Sequence, residues 1–227
     1  MLWRARYQLS IVVQIAINAQ ISIDFAQILL QQCHFPSAAG LIDSARLRNL
    51  HVLELGWGNS SSQHRQFIYF FSAGTGLLGI LLMPFVRHYT LTDVASLVPL
   101  IRKNLALNTD GTMGSNVSVQ ELDWLILQST PANLRSRFFS FTHPADVILV
   151  VDCIYHPFLI PGLVETIDFL SVPAHTAVLI VVELRAEDVV RDFLELWMAK
   201  PNWKIWRVGR QGGLQKPYVM WVGMKTR

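Results

Sequence analysis

Short runs of consecutive apolar residues alternate along this chain with longer segments whose apolar residues recur every three or four positions. His51–Leu55 (HVLEL), His88–Thr92 (HYTLT), Val117–Val119, Asp146–Val151 (DVILVV) and Ala177–Glu183 (AVLIVVE) predict five short strands. Helices are predicted at Leu77–Val86, ending near Pro84, and at Ala95–Asn108, where Leu97, Leu100, Ile101 and Leu105 keep helical spacing. Two more are predicted at Pro157–Leu170, behind a proline start, and at Glu187–Ala199. Strands alternating with helices predict an α/β fold: a doubly wound, mostly parallel sheet with helices on both faces. Trp203–Val208 and Tyr218–Met224 follow without a helix between them, joined by a loop with Gly209, Gly212 and Gly213. They predict an antiparallel C-terminal hairpin that brings the sheet to seven strands. No repeat and no Pro/Gly/Ser-rich linker divides the chain. The expectation is one domain over residues 50–227, behind an N-terminal helical segment, 1–49, whose completeness stays open.

Composition narrows the functional classes. The 227 residues are 52% hydrophobic and only 15% charged, which excludes a disordered chain. The net charge of +3 is scattered, without the clustered basic stripe of a nucleic-acid binder. Cys33 and Cys153 make neither a disulfide framework nor a zinc spacing, so no metal is expected. A reducing compartment is expected, the cytoplasm with the nucleus as the alternative, and a monomer as the state. Arg4 and Arg6 ahead of the apolar stretch Leu9–Ile17 have the look of a targeting peptide. Gln14, Asn18 and Gln20 interrupt that stretch and favour a peripheral amphipathic helix. Phe67–Val86 is twenty residues without a charge, long enough to span a bilayer. Its glycines, and the strand pattern on both sides, favour a nucleotide-binding turn, so no membrane partner is expected.

That turn carries the chemistry. In open parallel sheets a ligand binds beyond the carboxyl ends of the strands, where a first strand runs through glycines into a helix. Glu54-Leu55-Gly56 ends the first strand here, and Gly74-Thr75-Gly76-Leu77-Leu78-Gly79 opens the helix. Sixteen residues, Trp57–Ser72 (WGNSSSQHRQFIYFFS), separate the two. Leaving them out gives VLELGAGTGLLGI. Asp93 lies 39 positions beyond Glu54, or 23 without the sixteen. That is close to the ~20 at which an acid at the end of the second strand holds ribose hydroxyls.

The shortened string resembles motif I of the seven-strand S-adenosylmethionine-dependent methyltransferases, whose sheet is Rossmann-like. Three later pieces resemble one subgroup, the family-16 lysine methyltransferases: Leu122-Asp123-Trp124 after the third strand, Asp152-Cys153-Ile154-Tyr155 (DxxY) after the fourth, and Glu183-Leu184-Arg185 closing the fifth. The resemblance runs from about Leu50 onward. It implies S-adenosylmethionine as cofactor, held by Glu54, Gly56, Gly74, Gly76, Asp93, Trp124 and Val151, with Trp124 against the adenine. It implies a protein substrate with an accessible lysine, such as a translation elongation factor or chaperone. Asp152 and Tyr155 are then the catalytic pair at the lysine channel. The residues leave plainer readings open: Trp124 as a core aromatic, Asp152 as a helix cap ahead of Pro157, Cys153 as a buried small hydrophobe, and Trp203, Trp206 and Trp221 as sheet-face packing. A small-molecule amine as acceptor, or a member without activity, are the alternatives.

The chain departs from the family in two places. Trp57–Ser72 breaks motif I. Its end, FIYFFS before Ala73-Gly74, suits a pyrimidine-rich tract and an acceptor AG, so a retained intron is the working explanation. Lengthening a loop from ~4 to ~20 residues costs only roughly 1.4 kcal/mol. The fold is therefore expected to survive, and cofactor binding to be weak or lost. The second departure is the family's Trp on the helix before motif I. No Trp occurs between Leu9 and Glu54, and Ser22–Gln32 is expected to fill that helix without it.

Overall fold

The computed structural model describes residues 21–26, 47–56, 76–109, 115–141, 143–184, 186–208 and 218–227. Gly74, Arg185, the N-terminal residues 1–20, the hairpin loop and the whole of Trp57–Ser72 lie outside them.

Seven strands form one sheet: β1 (His51–Leu55), β2 (His88–Asp93), β3 (Val117–Glu121), β4 (Val147–Val151), β5 (Ala177–Glu183), β6 (Trp203–Val208) and β7 (Tyr218–Lys225). Their order is β3-β2-β1-β4-β5-β7-β6. The first five are parallel, and β7 runs antiparallel between β5 and β6. The doubly wound α/β architecture and the antiparallel hairpin are as the sequence pattern predicts.

The apolar runs are continuous because both faces of the sheet are buried. Leu53, Leu55, Ile148, Val150, Val178, Ile180 and Val182 point to one face, where they meet α3 (Trp124–Ser129), α5 (Ile160–Leu170) and α6 (Glu187–Met198). Val52, Leu149, Leu179 and Val181 point to the other, packing against α1 (Leu77–Leu82), α2 (Val98–Asn108) and Ile21 and Phe25 of the helical residues 21–26. The N-terminal segment thus contributes to the same core as the sheet. In α6, Val189, Val190, Phe193 and Trp197 form the buried stripe, with Glu187 and Asp188 in the first turn. Trp197 lies against β7 at Gly223, where an added Cβ would overlap the indole.

Several predicted details differ. The second helix starts at Val98, not Ala95, because Pro99 sits in its first turn and residues 95–97 form a turn ahead of it. Leu100 faces solvent although Ile101 and Leu105 are buried. Pro157–Leu159 is a 3-10 turn that leads into α5. Trp206 is exposed rather than packed, while Trp221 is buried. The sequence pattern missed α3 and also α4 (Ala132–Phe138). Among the described residues no helix is long and apolar enough to cross a membrane.

At the amino ends of the strands, His51 is buried, with Nε2 2.9 Å from Thr90 Oγ1 and Nδ1 3.2 Å from the Pro144 carbonyl oxygen. Burial holds its imidazole below the usual histidine range.

Candidate functional site

The site forms at the opposite, carboxyl ends of β1, β2 and β4. The chain leaves β1 through Gly56, whose N–H donates to the Thr92 carbonyl at 2.8 Å. An added Cβ there would overlap both the Thr92 carbonyl and the Asp93 carboxylate. Only glycine lets the turn pass this close to the end of β2. Gly76 caps the start of α1, its backbone in the left-handed region at φ 68°. A Cβ at Gly79 on α1 would sit 2.9 Å from the Leu91 side chain, so this glycine sets how close α1 lies to β2.

Two carboxylates flank Gly56. Glu54 is buried, and its Oε2 accepts the Tyr89 hydroxyl at 2.8 Å. Its carbonyl accepts Thr92 Oγ1, also at 2.8 Å. Burial pushes the Glu54 carboxyl up to about 7, against the pull of the Tyr89 hydrogen bond. Burial first, and then Glu54, hold the Tyr89 phenol well above its ordinary value. Asp93 is fully buried, and its Oδ1 accepts the Val94 N–H at 2.8 Å.

Beyond β3, Asp123 caps α3, its Oδ1 accepting from Leu125 N–H at 2.9 Å and Ile126 N–H at 3.2 Å. Trp124 follows, wholly buried in the core beneath α5, and its carbonyl lies against Gly162. Its indole N–H is buried without a hydrogen-bond partner among the described residues.

Val151 ends β4, and the backbone turns at Asp152, whose φ is 53°. The Asp152 N–H donates to the Val181 carbonyl at 2.7 Å, which ties this turn to β5. Asp152 is not a helix cap. That position belongs to His156, whose Nδ1 accepts the Phe158 N–H at 3.3 Å, because Asp152 lies four residues too far upstream. Cys153 is buried, and its thiol faces the carbonyls of Val151 (3.3 Å) and Leu55 (3.4 Å). Burial, with Asp152, Glu54 and Asp93 adding repulsion, pushes the thiol well above its usual range. The thiol therefore stays protonated. Tyr155 is half-buried against the same core.

Further along this edge the structure adds residues that the sequence pattern gave no reason to pair. Tyr218 opens β7 opposite Glu183, and its hydroxyl donates to Asp24 Oδ2 at 3.5 Å. Burial, Asp24, Glu183 and Asp152 push the phenol up to about 12. Asp24 and Tyr218 are 194 positions apart, so only the fold joins them.

Two observations fit a nucleoside-bearing cofactor here: the glycine passage that a Cβ would fill, and the buried indole N–H of Trp124. Among the described residues no group of His, Cys, Asp and Glu has the geometry of a metal site.

The sequence is 36% identical over 147 residues to the diaminohydroxyphosphoribosylamino-pyrimidine deaminase of Schizosaccharomyces pombe, covering 63% of this chain and 33% of that protein. The P-C-x-x-C pattern of zinc deaminases does not occur in this chain. Over 180 residues it is 27% identical to ribosomal lysine N-methyltransferase 5 of Eremothecium gossypii, covering 67% of this chain and 50% of that protein. The chain thus spans a third and a half of the lengths of these two relatives. The O-methyltransferase of Bacillus cereus, solved in complex with S-adenosylhomocysteine, superposes with a TM-score of 0.51 at 15% identity, covering 95% of this chain and all of that one. This likeness establishes the fold, that of the S-adenosylmethionine-dependent methyltransferases. A profile described as lysine methyltransferase matches residues 2–199. The chain belongs to the lysine methyltransferase family.

Proposed function

We propose that this chain is an S-adenosylmethionine-dependent N-methyltransferase acting on a lysine of a protein. The observation that carries the reading is the passage of Gly56 against Asp93, with Glu54 and Asp93 at the ends of neighbouring parallel strands. Glu54 offers a carboxylate to a cationic group, and Asp93 offers one to ribose hydroxyls. Gly56 and Gly76 keep side chains out of the turn, and Val151 ends β4 beside them. When bound, the cofactor supplies a methyl group already activated on a sulfonium, so the protein contributes binding and alignment.

Asp152 and Tyr155 are the residues proposed to receive the lysine. A lysine amine is protonated at neutral pH and must shed that proton before it has a lone pair to offer. Carboxylate and phenol oxygens accept its remaining N–H bonds and aim the lone pair. The left-handed backbone at Asp152, held by the Val181 carbonyl, fixes where that carboxylate starts. Cys153 takes no part as a nucleophile, since its thiol is held protonated. The relative named as a ribosomal lysine methyltransferase supports a protein of the translation machinery as acceptor. A second reading, a member that has lost activity, is favoured by one observation alone: sixteen residues inside the glycine turn.

Calorimetric titration of S-adenosylhomocysteine into the full chain, and into a chain lacking residues 57–72, tests this. Binding to the shortened chain, with weak or no binding to the full chain, is expected. Failure of both folded chains to bind refutes the cofactor assignment. Transfer of a labelled methyl group to lysine peptides but not to free amines then separates the protein acceptor from a small one.

A further inference from the structure

Glu54 sits among apolar neighbours on the α1–α2 face of the sheet, beside Val52 and Leu91. The titratable group in contact with it is Tyr89 from β2; Cys153, from the segment after β4, feels its charge, as it does those of Asp93 and Asp152. The influences on its carboxyl are burial and the Tyr89 hydroxyl. Among the described residues no cation contributes to its titration, and a ligand's cationic group would be a matching counterion.

Tyr89 is the unexpected residue. It is wholly buried in the middle of a packed strand, opposite Val52, at a position that an aliphatic side chain would fill at no polar cost. Its hydroxyl spends its hydrogen on Glu54 Oε2. One carboxylate oxygen is thereby fixed, and the rotamer with it. We propose that Tyr89 is a positioning residue for the cofactor, acting through Glu54 by orienting its carboxylate. This rests on the reading of Glu54 as a cofactor ligand. Two consequences follow. Cofactor binding depends on pH around neutrality, since a protonated Glu54 cannot answer an ammonium. Removing the hydroxyl shifts that dependence instead of merely weakening the site.

The experiment is calorimetric titration of S-adenosylhomocysteine between pH 5.5 and 9 into the full chain and into the chain lacking residues 57–72, the form expected to bind, with Tyr89→Phe and Glu54→Gln made in both. For the wild type, affinity is expected to rise about tenfold per pH unit up to about 7 and then level off. A hydrogen bond to a charged group is worth about one pH unit or more. The break in Tyr89→Phe is therefore expected at least one unit higher, with about fivefold or more weaker binding at pH 7 and near-equal binding at pH 9. Glu54→Gln is expected to bind weakly and independently of pH. An unchanged break in Tyr89→Phe, uniform weakening at every pH, or retained pH dependence in Glu54→Gln would each overturn the proposal. An infrared titration of the buried carboxyl in ligand-free protein reads the Tyr89–Glu54 pair by itself. If its midpoint moves in Tyr89→Phe while no chain binds the ligand at any pH, the cofactor reading is what fails, and the positioning role falls with it. An unmoved midpoint refutes the Tyr89 role even where binding is normal.

Discussion

Glu54→Gln is predicted to stabilise this protein in alkaline solution while it weakens the site. In the folded chain the Glu54 carboxyl titrates at about 7, against 4.5 when it is free in water. The folded state therefore holds a proton over a pH range in which the unfolded state has released it. Stability attached to this group is fully present below about 4.5 and is lost as pH rises through 7. At 1.36 kcal/mol per unit, the interval amounts to about 3 kcal/mol. Glutamine has nearly the same shape, still accepts the Tyr89 hydroxyl, and carries no charge to bury. Its amide costs about 1 kcal/mol in desolvation at any pH. The variant should thus be slightly less stable than the wild type at pH 4.5 and about 2 kcal/mol more stable at pH 8. Urea unfolding of both proteins across this range measures the gap directly. A stability difference that stays flat between pH 4.5 and 8 would refute the claim that burial governs this carboxyl. A stabilised protein that binds cofactor poorly is the expected signature of a functional residue held at a cost to the fold.

Three other outcomes follow from the same geometry. Gly56→Ala should lose most affinity for S-adenosylhomocysteine and about 1–3 kcal/mol of stability, because its Cβ overlaps the Thr92 carbonyl and the Asp93 carboxylate; calorimetry and urea unfolding read the two effects. Asp123→Ala removes the acceptor for two N–H groups of α3 and should lower stability by about 1 kcal/mol, seen as a lower urea midpoint with an unchanged slope. His51 acts with the opposite sign to Glu54: burial lowers its imidazole, so its contribution is present above about pH 6.5 and is lost as pH falls through the lowered value. His51→Gln should therefore flatten the acid side of the stability profile, and an equally steep profile would exclude His51 as its source.

Legibility in the sequence followed the physics of each element. β5 was readable to the residue because burial on both faces demands an unbroken apolar run, and β1 because its three apolar residues lead straight into Gly56. α3 escaped because six residues hold less than two helical turns, too few for a period to emerge. Its start was nevertheless signalled by Asp123, a good capping residue directly before an apolar run. Trp206 was misjudged because alternation on a strand places a residue on a face without saying whether anything covers that face. The glycines and Asp93 were legible as spacing along a chain. The Tyr89–Glu54 bond was not, since it depends on the parallel register of β1 and β2. Asp24 and Tyr218 meet only after the whole sheet is assembled.

The place of β7 between β5 and β6 governs the order in which the sheet can be completed. β6 leaves the ribosome first, yet it has no ladder to join until β7 arrives to hydrogen-bond with both neighbours. Until then the β5 edge stays open, and its row of apolar side chains is a template for another nascent chain. A stop codon anywhere between Val208 and Tyr218 would leave β6 without a strand to pair with. It would also strip the cover from the strand beside Asp152, so such a product should aggregate rather than survive as a weakened enzyme.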